Sequence, residues 1–237
     1  MSYTAGQIAG PFARTFAASR TASGTYTVAT LYPVGDGTNY LPIHVDPSTS
    51  ASGAVVIKGQ AFNPNTGVGG SGVSAALSTN RWEALATTGS SNLTNCFVGL
   101  NDASIASGRI IVQSNSASGV YNTITPTSTY VAGTPNALRT ATAISAASYS
   151  GYFSHALVGP VITSFTPTAA CSNAVTTITI TGTNLGSATS VTIGGEACSI
   201  VSNTSTQIVV TTDATPQAGN VVVSTSANSA TSSSALS

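Results

Sequence analysis

From Thr176 to Gly195 the chain reads TTITITGTNLGSATSVTIGG, and its apolar residues fall on alternate positions. Ile178 and Ile180 share one face of an extended chain, and Thr177, Thr179 and Thr181 share the other. In SVTIGG, Val191 and Ile193 point one way and Thr192 the other. Period two with one apolar face describes strands with one side buried and one side wet. GTNLGS between them is rich in turn formers, so the stretch predicts a hairpin. The same alternation continues in EACSIV (Cys198, Ile200), TQIVVTT (Ile208, Val210) and GNVVVST (Val221, Val223), and PVITSFTPT opens the series at Pro160. Short strands at this spacing, each punctuated by turn residues, predict a β-sandwich of the immunoglobulin kind, about 80 residues in size.

The pattern before Leu157 is also strand-like. GTYTVATLYPVG sets Tyr26 and Val28 on one face. NYLPIHVDP sets Leu41, Ile43 and Val45 against Tyr40, Pro42 and His44. Pro42 and Pro47 suit an edge strand or a strand end, because proline donates nothing to a ladder. GAVVIKGQAF, NRWEALATT, NLTNCFVGL, GRIIVQS and GVYNTITP give five further strands, joined by stretches such as NPNTGVGGSGVS. NALRTATAISAAS reads as a strand and a turn rather than a helix, given its Thr and Ser. The expectation is an all-β chain of two β-sandwiches in tandem. The first spans 1–158 with about eight strands and the second spans 159–225. A boundary lies at Ala156–Pro160, where Gly159-Pro160 punctuates the chain, and SANSATSSSALS reads as a linker or tail over 226–237.

Composition sharpens this reading. Only 5% of residues are charged, six basic against six acidic, where a globular domain carries roughly 25%. The polar surface is therefore Ser, Thr, Asn and Gly. No basic face is available to neutralise nucleic-acid phosphates, and no basic amphipathic stretch suits a membrane surface. No apolar run reaches the length of a membrane-spanning helix. MSYTAGQIAGPF lacks the basic and apolar blocks of a signal peptide, so Met1 reads as the start of a fragment.

The second half resembles a known family. PVITSFTPTAACSNAVTTITITGTNLGSATSVTIGGEACSIVSNTSTQIVVTT is similar to an IPT/TIG domain, through ITSFTP, ITGTNL, VTIGG and STQIVV. One departure is AACSNA, which stands where the family has a Gly-rich turn. The resemblance implies an immunoglobulin-like fold of the kind found in receptors, some transcription factors, bacterial surface proteins and glycan-handling enzymes. The DNA-binding branch uses basic loops, and from Gly159 onward this chain has no Lys or Arg. The first half resembles a β-module of very large secreted and cell-surface proteins of Bacteroidota, through PFARTFAAS, YPVGDGTNYLPIHV, NRWEALATTGS and SGYFSHALVGP. That resemblance implies a module set beside immunoglobulin-like domains in adhesins.

Candidate chemistry is sparse. Ser154 and His155 are adjacent and His44 lies near Asp46, but no GxSxG elbow is present, and both histidines read as exposed strand residues. Asp36 and Asp102 read as turn residues. Gly35–Asn39 (GDGTN) reads as a β-turn, with calcium as the alternative because such loops offer hard oxygen ligands. Trp82 reads as core. Tyr149, Tyr152 and Phe153 form a candidate aromatic ligand patch. Cys171 and Cys198 are a candidate disulfide, with Cys96 alone; three buried thiols are the alternative. No catalytic residue, nucleotide site or organic cofactor is expected, and any ligand should sit on an edge or loop surface. The sequence thus predicts a non-enzymatic structural or adhesive module of an extracellular or cell-surface bacterial protein, whose partners are neighbouring domains or copies of itself. A glycan-binding module is the first alternative. An extracellular filament subunit is the second, because uncharged strand edges can pair between chains.

Overall fold

Alternation of apolar and polar residues becomes two stacks of strands. The computed structural model describes residues 2–4, 7–70, 73, 77–124, 128–170, 174–214, 218–225 and 228–237, and the chain divides into two units, Met1–Leu157 and Val158–Ser237.

Unit 1 is built from β1 (Ser2–Thr4), β2 (Gln7–Ala9), β3 (Phe12–Phe16), β4 (Leu31–Tyr32), β5 (Val34–Gly35), β6 (Ile43–Thr49), β7 (Val55–Phe62) and β8 (Val68–Gly69). It continues with β9 (Arg81–Thr88), β10 (Leu93–Asn101), β11 (Arg109–Ser114), β12 (Val120–Thr123), β13 (Ser128–Val131), β14 (Ala137–Thr140), β15 (Ile144–Ser145) and β16 (Tyr152–Leu157). One sheet runs β13-β14-β10-β6-β4, with β15 also on β10. The other runs β3-β7-β9-β16-β11-β12-β8, and β1-β2-β5 form a small third sheet. The core fills the space between the two large sheets. Ile43, Val45, Val98 and Leu100 meet Ile57, Trp82, Ile111 and Phe153, all fully buried. Trp82 is core, as its parity predicts, and its indole N–H donates to the Leu41 carbonyl at 2.9 Å. Tyr32 lies across Gly59, where a Cβ would stand 2.4 Å from the ring, so β7 needs glycine there.

Two expectations for unit 1 change. Many of its strands are only two to four residues long, so it holds sixteen among the described residues rather than about eight. Residues 24–30 are not a strand, and Val28 is exposed. The segment from Ala17 to Thr30 lies over β6 instead, tied by side chains. β6 is flanked by β4 only at Ile43 and His44. Beyond that point Val45 N donates to the Thr30 carbonyl and Thr49 N to the Arg20 carbonyl. Pro47, with no N–H, falls between those two donors. The strand is buried along its whole length, and beyond His44 it has no ladder partner on that side. NALRTATAISAAS is β14, β15 and a short 3-10 turn at Ala146–Ser148, a strand-and-turn stretch as read.

Unit 2 is a sandwich of β17 (Val161–Thr166), β18 (Thr177–Thr183), β19 (Ala188–Ile193), β20 (Glu196–Asn203), β21 (Gln207–Thr211), β22 (Gly219–Thr225) and β23 (Ser229–Leu236). Ile178 and Ile180 pair with Val210 and Ile208 in one layer. Val191 and Ile193 pair with Val223 and Val221 in the other. These eight side chains, with Leu185, Phe165 and Leu236, make the core. β20 serves both layers: Glu196–Cys198 pair with β19, and Ser199–Asn203 pair with β21.

Two expectations for unit 2 change as well. β18 and β19 are not a hairpin, because β18 pairs with β17 and β21, and β19 with β20 and β22. GTNLG carries the chain from one layer to the other, with Asn184 left-handed (φ 55°) and Leu185 in the core. The tight hairpin is β19–β20, where Gly194 and Gly195 take φ 57° and 94° between Ile193 and Glu196. Two positive φ values in a two-residue loop match the twist of the strands. The expected tail is the last strand. β23 runs antiparallel to β22, Leu236 is buried, and the Ser232 hydroxyl accepts Val221 N at 3.0 Å. Ala170 N donates to the Ser237 carbonyl, and Ser237 N to Thr168. SATSSSAL hides this strand because backbone and serine hydrogen bonds hold it, not an apolar stripe.

Candidate functional site

All six cations of the chain lie in unit 1, and its five arginines are bound into the fold. Arg14 donates to the Leu31 carbonyl (2.9 Å) and the Val28 carbonyl (3.1 Å) and lies over Phe12 and Tyr32. Arg81 bonds Glu83 at 3.1 Å over Phe62. Arg139 donates to the Leu100 and Leu138 carbonyls over Tyr26. Arg20 pairs with Asp46 and the Pro47 carbonyl. Asp46 is 0% exposed and also accepts Ser23 N and Gly24 N, both at 2.9 Å. Its carboxylate is filled, and it pins the segment that covers β6. A donor-filled carboxylate of this kind holds structure rather than a ligand.

The second buried carboxylate belongs to Asp102, just after β10. It accepts Asn80 Nδ2 (2.7 Å), Ser104 N (2.8 Å) and His155 Nε2 (3.1 Å). Burial works to raise its pKa, but these hydrogen bonds outweigh it and hold the carboxyl well below the ordinary range. His155, on β16, is 0% exposed, so the expectation of an exposed histidine is corrected. Its Nδ1 faces Arg109 Nη1 at 3.1 Å. A guanidinium only donates, so Nδ1 accepts and Nε2 carries the proton given to Asp102. Burial pushes the imidazole pKa down against the pull of Asp102. The pair is therefore a neutral ring on a carboxylate. The available signal was parity: His155 shares a face with Phe153, which points into the core, and strand alternation would have placed the ring inside.

Ser154 faces the other way, giving its hydroxyl proton to the Asn80 carbonyl (2.8 Å) and accepting from Asn65 Nδ2 (3.1 Å). It makes no relay with His155. His44 is buried rather than exposed. It lies beside Thr30 (Nδ1 to Oγ1, 3.2 Å) with the Tyr26 ring edge-on, and burial with Arg139 and Arg14 nearby brings its pKa down to about 4.

A cleft of about 600 Å³ lies at one end of the unit 1 sandwich. Loops after β5, β7, β10 and β13 and the approach to β9 converge there. Its walls carry Thr38, Asn39, Tyr40, Leu41, Asn63, Thr79, Asn80, Asp102, Ser104 and Thr134. Sequence reading missed it, since Asn63, Asn80 and Asp102 sit in separate loops and nothing in their spacing announces convergence. In the cleft Asn63 Nδ2 donates to Asn80 Oδ1 at 2.7 Å.

The candidate aromatic patch is not an open one. Phe153 is fully buried, and Tyr149 stacks on it at 5.5 Å and donates its hydroxyl to the Ala84 carbonyl. Burial pushes that phenol well up. Tyr152 stays half-buried. A hollow of about 240 Å³ remains beside Tyr149. In GDGTN, the Asp36 carboxylate accepts Thr38 N, Asn39 N and Asn39 Nδ2 at 2.6–2.9 Å, the pattern of an Asx turn. Among the described residues no group of three or more His, Cys, Asp or Glu stands together to hold a metal. Among the same residues no helix is long and apolar enough to cross a membrane. Cys96 is sealed in the unit 1 core, and its thiol pKa is pushed up by burial. Cys198 is half-buried on β20, while Cys171 lies outside the described residues.

Unit 2 has the layered pairing and sheet-switching strand of an immunoglobulin-like sandwich. Residues 160–237 match the family model of the IPT/TIG domain. Among solved structures, the extracellular region of plexin A4 aligns with 60% of this chain at 14% identity and a TM-score of 0.30. The SGBP-B protein of the Bacteroides ovatus mixed-linkage glucan utilization locus, solved with a mixed-linkage heptasaccharide, aligns with 93% at 15% identity and 0.25. The alignments span 26% and 56% of those two chains. No curated protein sequence matches.

Proposed function

We propose that the chain is a non-catalytic adhesive and spacing module of a bacterial extracellular or cell-surface protein, in which unit 2 presents and unit 1 adheres. The observation that carries this is the commitment of the chemistry-bearing side chains to the fold. Asp46 and Asp102 are filled by donors, His155 is bound at both nitrogens and the arginines are tied to carbonyls, rings or acids. The polar groups left at the surface are mostly hydroxyls and amides, suited to shallow recognition that salt does not weaken.

Beads coated with the chain and passed over bacterial-cell and polysaccharide surfaces test this. They should be retained under flow equally at low salt and at about 0.5 M NaCl, where ionic contacts are screened. Retention no better than albumin-coated beads, or retention lost with salt, contradicts the reading.

A filament subunit is the second reading, favoured by one observation. β8 ends its sheet, and Val68 on it pairs with Val120 while both stay exposed (58% and 51%). An uncharged apolar edge of this kind is a template for another strand. Sedimentation that finds only monomer across concentrations removes it.

A further inference from the structure

We infer that the cleft at the loop end of unit 1 is a binding site for a neutral saccharide, read by Asn63, with Tyr40 in its wall. This rests on the adhesive reading and names its ligand class.

The argument starts at the interior. Asp102 is ionised and can only accept. Asn80 must therefore turn its NH2 toward Asp102, which turns its oxygen toward the cleft. That oxygen accepts Asn63 Nδ2. The orientation of each amide is fixed by the one behind it, back to a carboxylate that His155 and Ser104 N hold in place. Asn63, exposed at the end of this chain of bonds, keeps its oxygen and its second N–H without partners among the described residues. An amide held in one orientation presents a donor and an acceptor side by side, which matches two adjacent hydroxyls of a sugar ring. Because the amide cannot flip, little ordering remains to be done on binding.

Charge decides the class. The Asp102 oxygens are already taken by three donors, and no Lys or Arg lines the cleft. An anionic ligand would find no counter-charge there, and a cationic one no open carboxylate. Tyr40, 39% exposed, lies in the cleft wall, and Ser104 and Thr134 add hydroxyls. A volume of about 600 Å³ suits a ligand of a few sugar rings.

The test is calorimetric titration of the whole chain with neutral soluble glucan, mannan, galactan and xylan, in parallel with polygalacturonate and hyaluronan. At least one neutral polysaccharide should bind, unaffected by about 0.5 M NaCl. Asn63→Ala should weaken it about tenfold or more, as expected for two lost hydrogen bonds, and Tyr40→Ala by a similar factor, with the melting temperature unchanged in both. Asn80→Leu, which frees Asn63 to rotate, should give a smaller loss. Neutral binding that survives both Asn63→Ala and Tyr40→Ala overturns the site while leaving adhesion standing. Binding of acidic polysaccharides alone, or of none, overturns the ligand class, and bead retention on cells then decides separately whether the adhesive reading falls too.

Discussion

The two units reach the same kind of architecture by different means. Unit 2 contains no Lys, Arg or His, and its acids are Glu196 and Asp213. Its order comes from matched rows of Ile and Val across strands and from turns that only certain residues can make. Unit 1 uses the same alternation between its large sheets, but it also carries the segment from Ala17 to Thr30, which pairs with no strand. That segment is fixed by Asp46, Arg20, Arg14 and the Ser48 hydroxyl, which accepts Ala22 N at 2.8 Å. Local alternation suffices where buried strands are paired through their backbone ladders. Where a strand edge is left open, buried charge takes over the satisfaction of backbone groups, which a folded interior demands. The cost is dependence on single residues and on pH.

The contrast can be broken at several points. Removing residues 226–237 should have the largest effect: with β23 gone, β22 loses its partner, Leu236 leaves the core, and unit 2 should lose its cooperative unfolding transition while unit 1 keeps its own. If a truncated chain still melts in two steps, β23 is dispensable. Asp46→Ala leaves Arg20 and two amides without their acceptor. Breaking a buried pair costs about 3–5 kcal/mol, so the unit 1 transition should fall steeply and that of unit 2 should stay put. Cys198 is a free thiol in the structure, and we further propose that in an oxidising compartment it is bonded to Cys171. Thiol counting on the unfolded, unreduced chain should then find one free thiol, that of Cys96, and reduction should cost unit 2 about 2–4 kcal/mol. Three free thiols contradict the bridge. Gly195→Val forces a β-branched residue to φ 94°, in a turn with open space around it. Strain alone should then lower the stability of unit 2 by about 1–3 kcal/mol, readable in urea melts.

How much of this was legible depends on whether the information is local. Parity placed Ile178, Ile180, Val191, Ile193, Ile208, Val210, Val221 and Val223 on the faces they occupy, because alternation is a property of each strand alone. It could not say that β18 pairs with β21 rather than β19, since partner choice depends on how the chain crosses between layers. Tyr26 and Val28 alternate like a strand, yet Asp46 captures the backbone donors just before them. β23 has alternation too weak to see, with alanines and serines where unit 2 elsewhere has Ile and Val. The cleft was not legible at all. Asn63, Asn80, Asp102 and His155 each look ordinary in sequence, and their meaning comes from meeting.

The division between a charge-locked unit and one without Lys, Arg or His is tested most directly by calorimetric scans of the whole chain at about pH 7 and about pH 4.5. His44 has its pKa lowered from 6.5 to about 4 in the fold, and His155 is lowered as well. Below pH 6.5 the unfolded chain takes up protons that the folded one refuses, so stability falls as pH drops from 6.5 toward 4. For His44 alone the loss at pH 4.5 is about 2–3 kcal/mol. Asp102, held well below the usual range, adds a further loss below about pH 4 as the unfolded carboxyl protonates first. Unit 2 has no histidine. Two transitions, of which only one shifts to lower temperature at the lower pH, is the predicted result. A single transition, or two that shift together, would contradict the account.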